Sequence, residues 1–393
     1  MIGVLCRGER RFEVDPGKTA LLVIDMQRDF IDPEGMCARL GDNPTLMRAI
    51  VPRVGRLTDW ARAQGVRVVH TREGYAPDLS DMQPPKRARW PIEEMAGPLG
   101  RYLIRGEAGH DFIAALKPAD GEWVIDKPGF GAFTRTDLED RLHAAGIEDL
   151  ILCGVTTSCC VQTTMREAVD RGFRCLTVAD CCAAVELDDH DRALDLIASE
   201  GNLFGWVCDL SDIAGPEEWA ADPSVTIRAM TDADADAVMA IYADGIATGQ
   251  ATFQDQPGEW SAFSAGKLAT PRLVACDAEH GILGFAVLSP TSARPVYKGV
   301  CEVSVYVSGA ARGRGVGNLL MQRLVTDSEA AGIWLLTASI FPENPASLIL
   351  HTTHGFRCVG RHRGPARMTY GPMAGRWRDT LRLERRSTVA GAD

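Results

Sequence analysis

The chain is 393 residues long, and at the usual size of a domain this length predicts two or three domains. Hydrophobic residues make up 46% and charged residues 24% of the chain, a balance that excludes a mainly disordered protein. The formal net charge of -11 argues against a nucleic-acid partner, and no apolar run reaches the roughly 20 residues that a membrane span needs. The N-terminal residues lack an apolar signal-peptide core, so we expect a cytoplasmic protein whose twelve cysteines are thiols.

The first half of the chain alternates short apolar runs with amphipathic stretches. The apolar runs predict buried strands at 20–26, 66–71, 123–126, 149–154 and 174–180. One helix is predicted over 44–64, and a capping box of Thr136 and Glu139 predicts the start of another. Because strand–helix alternation is typical of βαβ units, residues 1–212 are expected to form an α/β domain with a doubly wound, mostly parallel sheet.

This alternating pattern stops near residue 212. Residues 213–224 are rich in proline, acidic and small residues, which predicts a linker. Beyond it, a long alternating strand at 301–308 runs into a loop and a helix, and a strand at 333–341 runs into another helix. Long antiparallel strands with few helices predict that residues 225–393 form an α+β domain.

Three polar residues lie where a doubly wound sheet carries its functional groups. Asp25 ends the first strand, Lys127 follows the strand at 123–126, and Cys160 lies where a strand turns into a helix. A thiol at a helix N-terminus, close to a lysine, is expected to have a lowered pKa, and a carboxylate could take its proton and return it to a leaving amine. Taken singly, a strand-end aspartate is more often a cap or a surface charge, a lysine before Pro-Gly is usually part of a solvated turn, and a cysteine at a helix start is usually a core residue.

The segments around these residues resemble the isochorismatase-like cysteine hydrolases. The resemblance covers roughly residues 17–212, through LLVIDMQRDFID (21–32), KPGFGAFTRTDL (127–138) and GVTTSCCVQTTMREAVDRGFRCLTVADCCAA (154–184). It points to the amide-hydrolysing branch that includes biuret hydrolase and related ureido-compound hydrolases. It implies a catalytic triad of Asp25, Lys127 and Cys160, a cis peptide at Val155–Thr156, and an oxyanion hole formed by the amides of Thr156 and Cys160.

The first half also departs from the pattern of that family. Ser158 and Cys159 precede the nucleophile, where the family commonly has an acidic and then an apolar residue, so the substrate stays open. Metal-binding members of the superfamily carry an Asp-x-His pair with a further histidine, and the sequence has no such cluster. His70 is expected to be a core histidine. We therefore expect no metal.

In the second half, the segment RGRGVG (312–317) lies between a predicted strand and a predicted helix. Glycines before a helix allow backbone N–H groups to bind a pyrophosphate, and the two arginines suit its charge. A dinucleotide-binding loop would instead need a parallel βαβ unit with an acidic residue about 20 positions later. A basic surface turn is the simpler alternative.

Residues 225–386 resemble the GNAT N-acetyltransferases, specifically the phosphinothricin and methionine-sulfoximine acetyltransferase group. The matching segments are ATFQDQPGEW (251–260), RPVYKGVCEVSVYVS (294–308), RGRGVGNLL (312–320), NPASLILHTTHGF (344–356) and GRWRD (375–379). The resemblance implies acetyl-CoA as cosubstrate and Glu302 as general base. It places Arg294, Tyr297 and His351 at the acceptor-amine site. The residues implied to bind acetyl-CoA are Val305, Tyr306, Val307, Arg312, Gly313, Arg314, Gly315, Val316, Gly317 and Asn344.

Together these features predict a bifunctional enzyme. The first domain would hydrolyse a small amide or ureido compound, and the second would acetylate a small amine or amino-acid analogue. The alternative is an acetyltransferase whose hydrolase-like half is a non-catalytic dimerisation or sensing domain. We expect small-molecule partners and a homo-oligomer, with no nucleic acid and no membrane partner.

Overall fold

The computed structural model describes residues 1–90, 92–215, 222–279 and 281–391. The chain divides into two compact units, Met1–Glu217 and Glu218–Asp393. Residues 216–221, which form half of the predicted linker at 213–224, lie outside the described residues. Among the helices of the described ranges, none combines the length and apolarity required to cross a bilayer.

The first unit is built on a parallel sheet. The strands of this unit are β1 (Ile2–Cys6), β2 (Arg10–Val14), β3 (Thr19–Ile24), β4 (Arg67–Glu73), β5 (Ala96–Gly97), β6 (Gly100–Arg101), β7 (Trp123–Lys127), β8 (Asp149–Val155), β9 (Arg174–Ala183) and β10 (Trp206–Cys208). Six of them form one sheet in the order β10-β9-β8-β3-β4-β7, with every neighbouring pair parallel. Every residue of β3 and β8 is buried, as expected of central strands covered on both faces. The predicted α/β fold is confirmed.

Helices connect these parallel strands. They are α1 (Arg28–Ile31), α2 (Met36–Arg39), α3 (Thr45–Ala49), α4 (Val51–Gln64), α5 (Pro84–Arg89), α6 (Leu138–Ala144), α7 (Gln162–Asp170), α8 (Leu187–Ile197), α9 (Ser199–Asn202) and α10 (Leu210–Ala214). The single helix predicted over 44–64 is instead two, α3 and α4, which meet at Ile50. Pro52 lies in the first turn of α4, where a missing backbone N–H is tolerated.

The predicted capping box at the start of α6 is wrong. The helix begins at Leu138, and its N-cap residue makes no side-chain cap. Thr136 Oγ1 instead donates to the carbonyl of Ala132 at 2.6 Å. Glu139 accepts a hydrogen bond from Arg171 Nε at 2.9 Å. Thr136 therefore makes local contacts, which include an accepted hydrogen bond from the N–H of Leu138 at 3.4 Å, whereas Glu139 serves a tertiary contact that a local motif does not encode.

The second unit contains a mixed sheet with helices. Its strands are β11 (Thr226–Ala229), β12 (Arg272–Cys276), β13 (Ile282–Pro290), β14 (Val300–Val307), β15 (Leu335–Ile340), β16 (Arg357–Arg367) and β17 (Trp377–Arg386). Its helices are α11 (Ala235–Ala247), α12 (Trp260–Ala265), α13 (Val316–Ala330) and α14 (Pro345–Thr353). The order is β11-β12-β13-β14-β15-β17-β16, and β14 with β15 is the parallel pair. This confirms the predicted α+β domain.

Two neighbouring strands of this sheet, β14 and β15, diverge along their length. β14 pairs with β13 from Cys301 to Val307. It pairs with β15 from Val300 to Glu302 and no further. The edge of β14 that faces β15 therefore lacks a strand partner beyond Glu302 within the described residues. Such an edge leaves backbone N–H and C=O groups available to a ligand.

Candidate active sites

The structure brings the three residues predicted in the first unit to one edge of its sheet. Asp25 is the first residue after β3, and Lys127 is the last residue of β7. Cys160 lies in a π-helical turn, Thr157–Val161, between β8 and α7. Because all strands of this sheet are parallel, their carboxyl ends meet at the same edge, which is where such sheets bind their ligands.

Asp25 and Lys127 form a fully buried ion pair. Lys127 Nζ lies 2.7 Å from Asp25 Oδ2, and neither side chain has any exposed surface. Thr71 Oγ1 donates to Asp25 Oδ1 at 2.6 Å. Lys127 Nζ also donates to the carbonyls of Gly129 and Phe130, each at 2.9 Å. The ammonium is therefore held rigidly at the base of the site.

Burial and neighbouring charges shift the pKa values of this pair in opposite directions. Burial raises the pKa of the Asp25 carboxyl, although Lys127 and Thr71 oppose the shift. For Lys127, burial lowers the pKa, but the adjacent Asp25 carboxylate and the other acidic groups outweigh it, so the pKa is raised overall. Lys127 therefore stays a cation at neutral pH, as an electrostatic role in the site requires.

Glu73 is a member of this cluster that the sequence analysis missed. It is the last residue of β4 and only 2% exposed. The Cys160 thiol donates to Glu73 Oε2 at 3.3 Å, and Lys86 Nζ lies 2.7 Å from Oε1. The signal was available, because an acidic residue at the carboxyl end of a parallel strand is the feature that singled out Asp25. The predicted strand ended at residue 71, two residues too early.

The acidic and thiol groups of this cluster could in principle hold a cation. One carboxylate oxygen each of Asp25 and Glu73 and Sγ of Cys160 lie within 4.8 Å of one another. However, the Lys127 ammonium already lies against Asp25 at 2.7 Å and would repel a metal ion placed there. The expectation of a metal-free site stays a prediction.

The resting state of the Cys160 thiol differs from the sequence expectation. Its interaction with the Cys159 thiol, together with burial, raises the pKa of Cys160, although Lys127 pulls it down. The same interaction lowers the pKa of Cys159. Cys160 is only 4% exposed, and the Cys159 interaction and burial together outweigh the effect of the lysine. The thiol is therefore protonated at neutral pH, and a role as nucleophile would require a proton acceptor.

The turn that carries Cys160 is held by its neighbours. The Val155–Thr156 peptide is cis, and the Thr156 carbonyl accepts hydrogen bonds from the N–H groups of Cys159 and Val161 at 3.1 and 3.2 Å. Gly154 precedes the turn with φ +111°, and a Cβ there would lie 2.1 Å from the carbonyl oxygen of Ile24. Only glycine allows β8 to approach β3 this closely. The oxyanion hole at Thr156 stays a prediction.

His70 lies in the core of the first unit. It is 1% exposed, and its Nε2 lies 2.9 Å from Glu122 Oε2. Burial lowers the pKa of His70, although Glu122 opposes the shift. These contacts match the interpretation of His70 as a core histidine.

In the second unit, Glu302 lies on β14 beside the point where the central strands part. Its side chain is 41% exposed, and Oε1 lies 3.7 Å from Arg382 Nη1. The strand partner of Glu302 on β13 is Ser289, whose Oγ accepts a hydrogen bond from Lys267 Nζ at 2.9 Å. Burial lowers the pKa of Lys267, although Glu302 opposes the shift. Lys267 is thus an ionisable neighbour of Glu302 that the sequence analysis missed.

The predicted pantetheine segment, Val305, Tyr306 and Val307, lies on the part of β14 without a β15 partner. Each of the three residues is partly buried. The Tyr306 ring stacks on Phe285, with centroids 5.2 Å apart. Tyr306 therefore packs the strand against the core, while the β14 edge that faces β15 has no strand partner here in the described part of the chain.

The predicted pyrophosphate loop leads directly into α13. Gly313 and Gly315 have φ values of +78° and +75°, a left-handed conformation that favours glycine. Val316 and Gly317 form the first helical positions, so their N–H groups belong to the helix N-terminus. Arg312 is exposed, whereas Arg314 forms an ion pair with Asp222 at 2.9 Å. Arg312 thus has no ion-pair partner among the described residues, whereas Arg314 is paired.

Asn344 is the N-cap of α14. Its Oδ1 accepts from Ser347 N–H at 3.1 Å, and its Nδ2 donates to the Gln250 carbonyl at 3.0 Å. His351, further along α14, is buried, which lowers its pKa to about 4, although its contact with the Ser347 carbonyl opposes the shift. Nε2 of His351 has no hydrogen-bond partner among the described residues.

The predicted acceptor-site residues do not form one contact cluster. Arg294 and Tyr297 lie on an exposed turn between β13 and β14, where Tyr297 is 45% exposed. His351 packs edge-on against Phe356, at a centroid distance of 4.9 Å. Glu302 pairs instead with Arg382. The acceptor site therefore stays a prediction from the resemblance.

Comparison with known proteins places each unit in a family of its own. The family model of the isochorismatase domain matches residues 19–212, and that of the acetyltransferase (GNAT) family matches residues 217–356. The ureidoacrylate amidohydrolase RutB of Methylobacterium radiotolerans is 28% identical over 218 residues, which cover 54% of this chain and 83% of that protein.

Solved structures resemble each unit separately. A cysteine hydrolase from Pseudomonas syringae pv. phaseolicola is 28% identical, covers 53% of this chain and 95% of its own, and has a TM-score of 0.46. A phosphinothricin acetyltransferase from Sinorhizobium meliloti, solved in complex with acetyl-CoA, is 28% identical, covers 43% of this chain and 92% of its own, and has a TM-score of 0.39.

Proposed function

We propose that this chain, which belongs to the isochorismatase family through residues 19–212 and to the GNAT acetyltransferase family through residues 217–356, is a bifunctional enzyme. Its first unit would hydrolyse a small amide or ureido compound. Its second unit would transfer an acetyl group from acetyl-CoA to a small amine or amino-acid analogue. The observation that carries the proposal is the buried cluster in which Lys127 lies 2.7 Å from Asp25 beside the Cys160 thiol.

In the hydrolase reaction, the Cys160 sulfur attacks the substrate carbonyl carbon after losing its proton. The tetrahedral oxyanion is stabilised by the backbone N–H groups of Thr156 and Cys160. Collapse breaks the C–N bond, the departing nitrogen takes up a proton, and a thioester remains on Cys160. Water then hydrolyses the thioester. Lys127 stabilises the negative charge on the sulfur, and Asp25 holds Lys127 in place.

The relatives support a ureido substrate for this unit. The relative from Methylobacterium radiotolerans is named as an amidohydrolase of ureidoacrylate, a compound that contains a ureido group. A closed, polar cluster of two carboxylates and two ammonium groups also suits a small polar substrate better than an apolar one.

In the acetyltransferase reaction, the free edge of β14 at Val305–Val307 would bind the pantetheine arm by backbone hydrogen bonds. The loop at 312–317 would bind the pyrophosphate through its N–H groups and Arg312. Glu302 would take a proton from the acceptor amine, so that the neutral amine can attack the thioester. An arginine such as Arg294 suits an acceptor that carries a carboxylate.

Two assays test the two halves of the proposal. Ammonia release from a panel of primary amides and ureido compounds is expected with the wild-type chain and absent with Cys160→Ala. Thiol release from acetyl-CoA is expected in the presence of a panel of amino acids and amino-acid analogues. Acetyl transfer without any amide hydrolysis would support the alternative, in which the first unit is a dimerisation or sensing domain. Failure of both assays would contradict the proposal.

A further inference from the structure

We propose that Glu73, and not Asp25, accepts the proton of the Cys160 thiol; this inference rests on the proposed hydrolase function of the first unit. The Cys160 thiol already donates to Glu73 Oε2 at 3.3 Å. Glu73 is 2% exposed, so bulk water does not compete for this contact. Direct contact with the reacting sulfur is the geometric requirement for a proton acceptor.

Asp25 is poorly placed for the same task because both of its oxygens are engaged. Oδ1 accepts from the Thr71 hydroxyl at 2.6 Å, and Oδ2 lies 2.7 Å from Lys127 Nζ. Although burial raises the pKa of Asp25, a proton on either oxygen would displace one of these two partners. The geometry gives Asp25 the role of holding the lysine beside the sulfur.

Glu73 is held so that one oxygen faces the thiol. Its other oxygen, Oε1, accepts from Lys86 Nζ at 2.7 Å and from the Tyr75 hydroxyl at 3.1 Å. Its backbone is also held, because Gln27 Oε1 accepts from Glu73 N–H at 2.8 Å and Gln27 Nε2 donates to the Glu73 carbonyl at 2.9 Å. Oε2 is therefore the oxygen free to receive a proton.

The charged and titratable groups around Glu73 come from several elements. Lys86 approaches from α5 and Lys127 from β7, with Nζ of Lys127 3.9 Å from Oε2. The remaining groups that face Glu73 or interact with its charge are Asp25, Cys37, Tyr75, Tyr102, Cys159 and Cys160. Lys86 Nζ also lies 3.8 Å from the centre of the Phe130 ring, a cation–π contact that helps to hold the ammonium in place.

The proton balance of the reaction closes through this one carboxylate. The Cys160 S–H bond breaks and the proton moves to Glu73 Oε2, while the sulfur bonds to the substrate carbonyl carbon. Glu73 then returns the proton to the nitrogen as the C–N bond breaks. In the second half, Glu73 takes a proton from water, whose oxygen bonds to the thioester carbon as the C–S bond breaks. The products are the amine and a carboxylic acid, and Cys160 regains its proton.

Glu73→Gln tests this role because it separates two effects of the carboxylate. Loss of the acceptor is expected to lower kcat/KM for amide hydrolysis by roughly 10²–10⁴-fold. Loss of a negative charge beside the sulfur is expected to ease ionisation of the thiol. The pH midpoint for alkylation of Cys160 by iodoacetamide should therefore fall by about one to three units. Peptide mass spectrometry identifies the alkylated cysteine, and Glu139→Gln, on the exposed face of α6, is the matched control.

A lower kcat/KM together with a lower alkylation midpoint, which means a more readily ionised thiol, supports the proposal, since a merely structural role would impair both hydrolysis and thiol ionisation. Retention of hydrolysis within about threefold of wild type overturns it. So does a loss of hydrolysis with an unchanged or raised alkylation midpoint. If Asp25→Asn lowers both kcat/KM and the alkylation midpoint and Glu73→Gln does not, Asp25 is the acceptor. If the wild type hydrolyses no amide of the panel, the proposed function fails, and the alkylation midpoints alone then decide whether Glu73 governs the thiol proton.

Discussion

Lys127 Nζ lies 2.7 Å from Asp25 Oδ2, and neither side chain is exposed to solvent. Removing one member of a buried ion pair leaves the other charge without compensation. We therefore expect Lys127→Met to reduce amide hydrolysis by orders of magnitude and to destabilise the first unit by about 3–5 kcal/mol. Urea unfolding, followed through hydrogen exchange of peptides from β3 and β8, measures the change.

The control for this prediction is the double variant Asp25→Asn with Lys127→Met. It removes both charges, and asparagine tolerates the positive φ of +51° at position 25. The double variant should recover much of the lost stability but none of the activity. A double variant as unstable as Lys127→Met alone would contradict the ion-pair explanation.

The two adjacent thiols are expected to differ in function. Cys160→Ala should abolish amide hydrolysis while acetyl transfer persists, because Cys160 contacts the buried acidic cluster. Cys159→Ala should retain turnover, although its thiol interacts with that of Cys160. Ammonia release measured for both variants decides between them. An inactive Cys159→Ala variant together with an active Cys160→Ala variant would instead assign the nucleophile role to the Cys159 sulfur.

Gly315 is expected to control acetyl-CoA binding. Gly315 directly precedes α13 and has a φ of +75°, a conformation in which a β-branched residue is strained. Gly315→Val should therefore raise the KM for acetyl-CoA strongly, because the N–H groups at the helix N-terminus would be displaced. Gly309→Val is the control, since a side chain there meets open space. Equal KM values for the two variants would exclude the loop from binding.

Glu302 is expected to act as the base of the acetyltransferase. Glu302→Gln keeps the size of the side chain but removes the proton acceptor, so kcat should fall by roughly 10²–10⁴-fold with little change in acetyl-CoA binding. The deficit should shrink at high pH, where more of the amine is already neutral. Glu384→Gln, which loses an exposed ion pair with Arg357, serves as control. Wild-type kcat in Glu302→Gln, when chemistry limits turnover, would leave His351 or a water as the base.

His351 is expected to make the second unit sensitive to acid. Burial lowers its pKa to about 4, whereas an unfolded histidine titrates near 6.5. The stability from the buried neutral ring is thus complete above about pH 6.5 and is lost as the pH falls toward 4, by roughly 3 kcal/mol. Relative to His351→Gln, the wild type should lose protection of α14 peptides from hydrogen exchange between pH 7 and 4.5. A constant difference between the two proteins over that range would refute the prediction.

The sequence by itself determined the architecture of both units. Continuous apolar runs between amphipathic stretches predict the parallel sheet of the first unit, and alternating runs predict the mixed sheet of the second. Since parallel strands end at one edge, the positions of Asp25, Lys127 and Cys160 along the chain were enough to place them together. The structure agrees, with Lys127 against Asp25 and the thiol within 4.8 Å of the carboxylates.

The partners of individual side chains were decided only by the tertiary structure. The contacts of Glu73 with the Cys160 thiol and with Lys86, and of Arg314 with Asp222, join residues between 13 and 92 positions apart. Periodicity specifies which face a residue lies on, but the few ångströms that make a hydrogen bond depend on how whole elements pack. The raised pKa of Cys160 has this origin in part: besides its interaction with the adjacent Cys159 thiol, burial raises it, and burial is a property of the assembled unit.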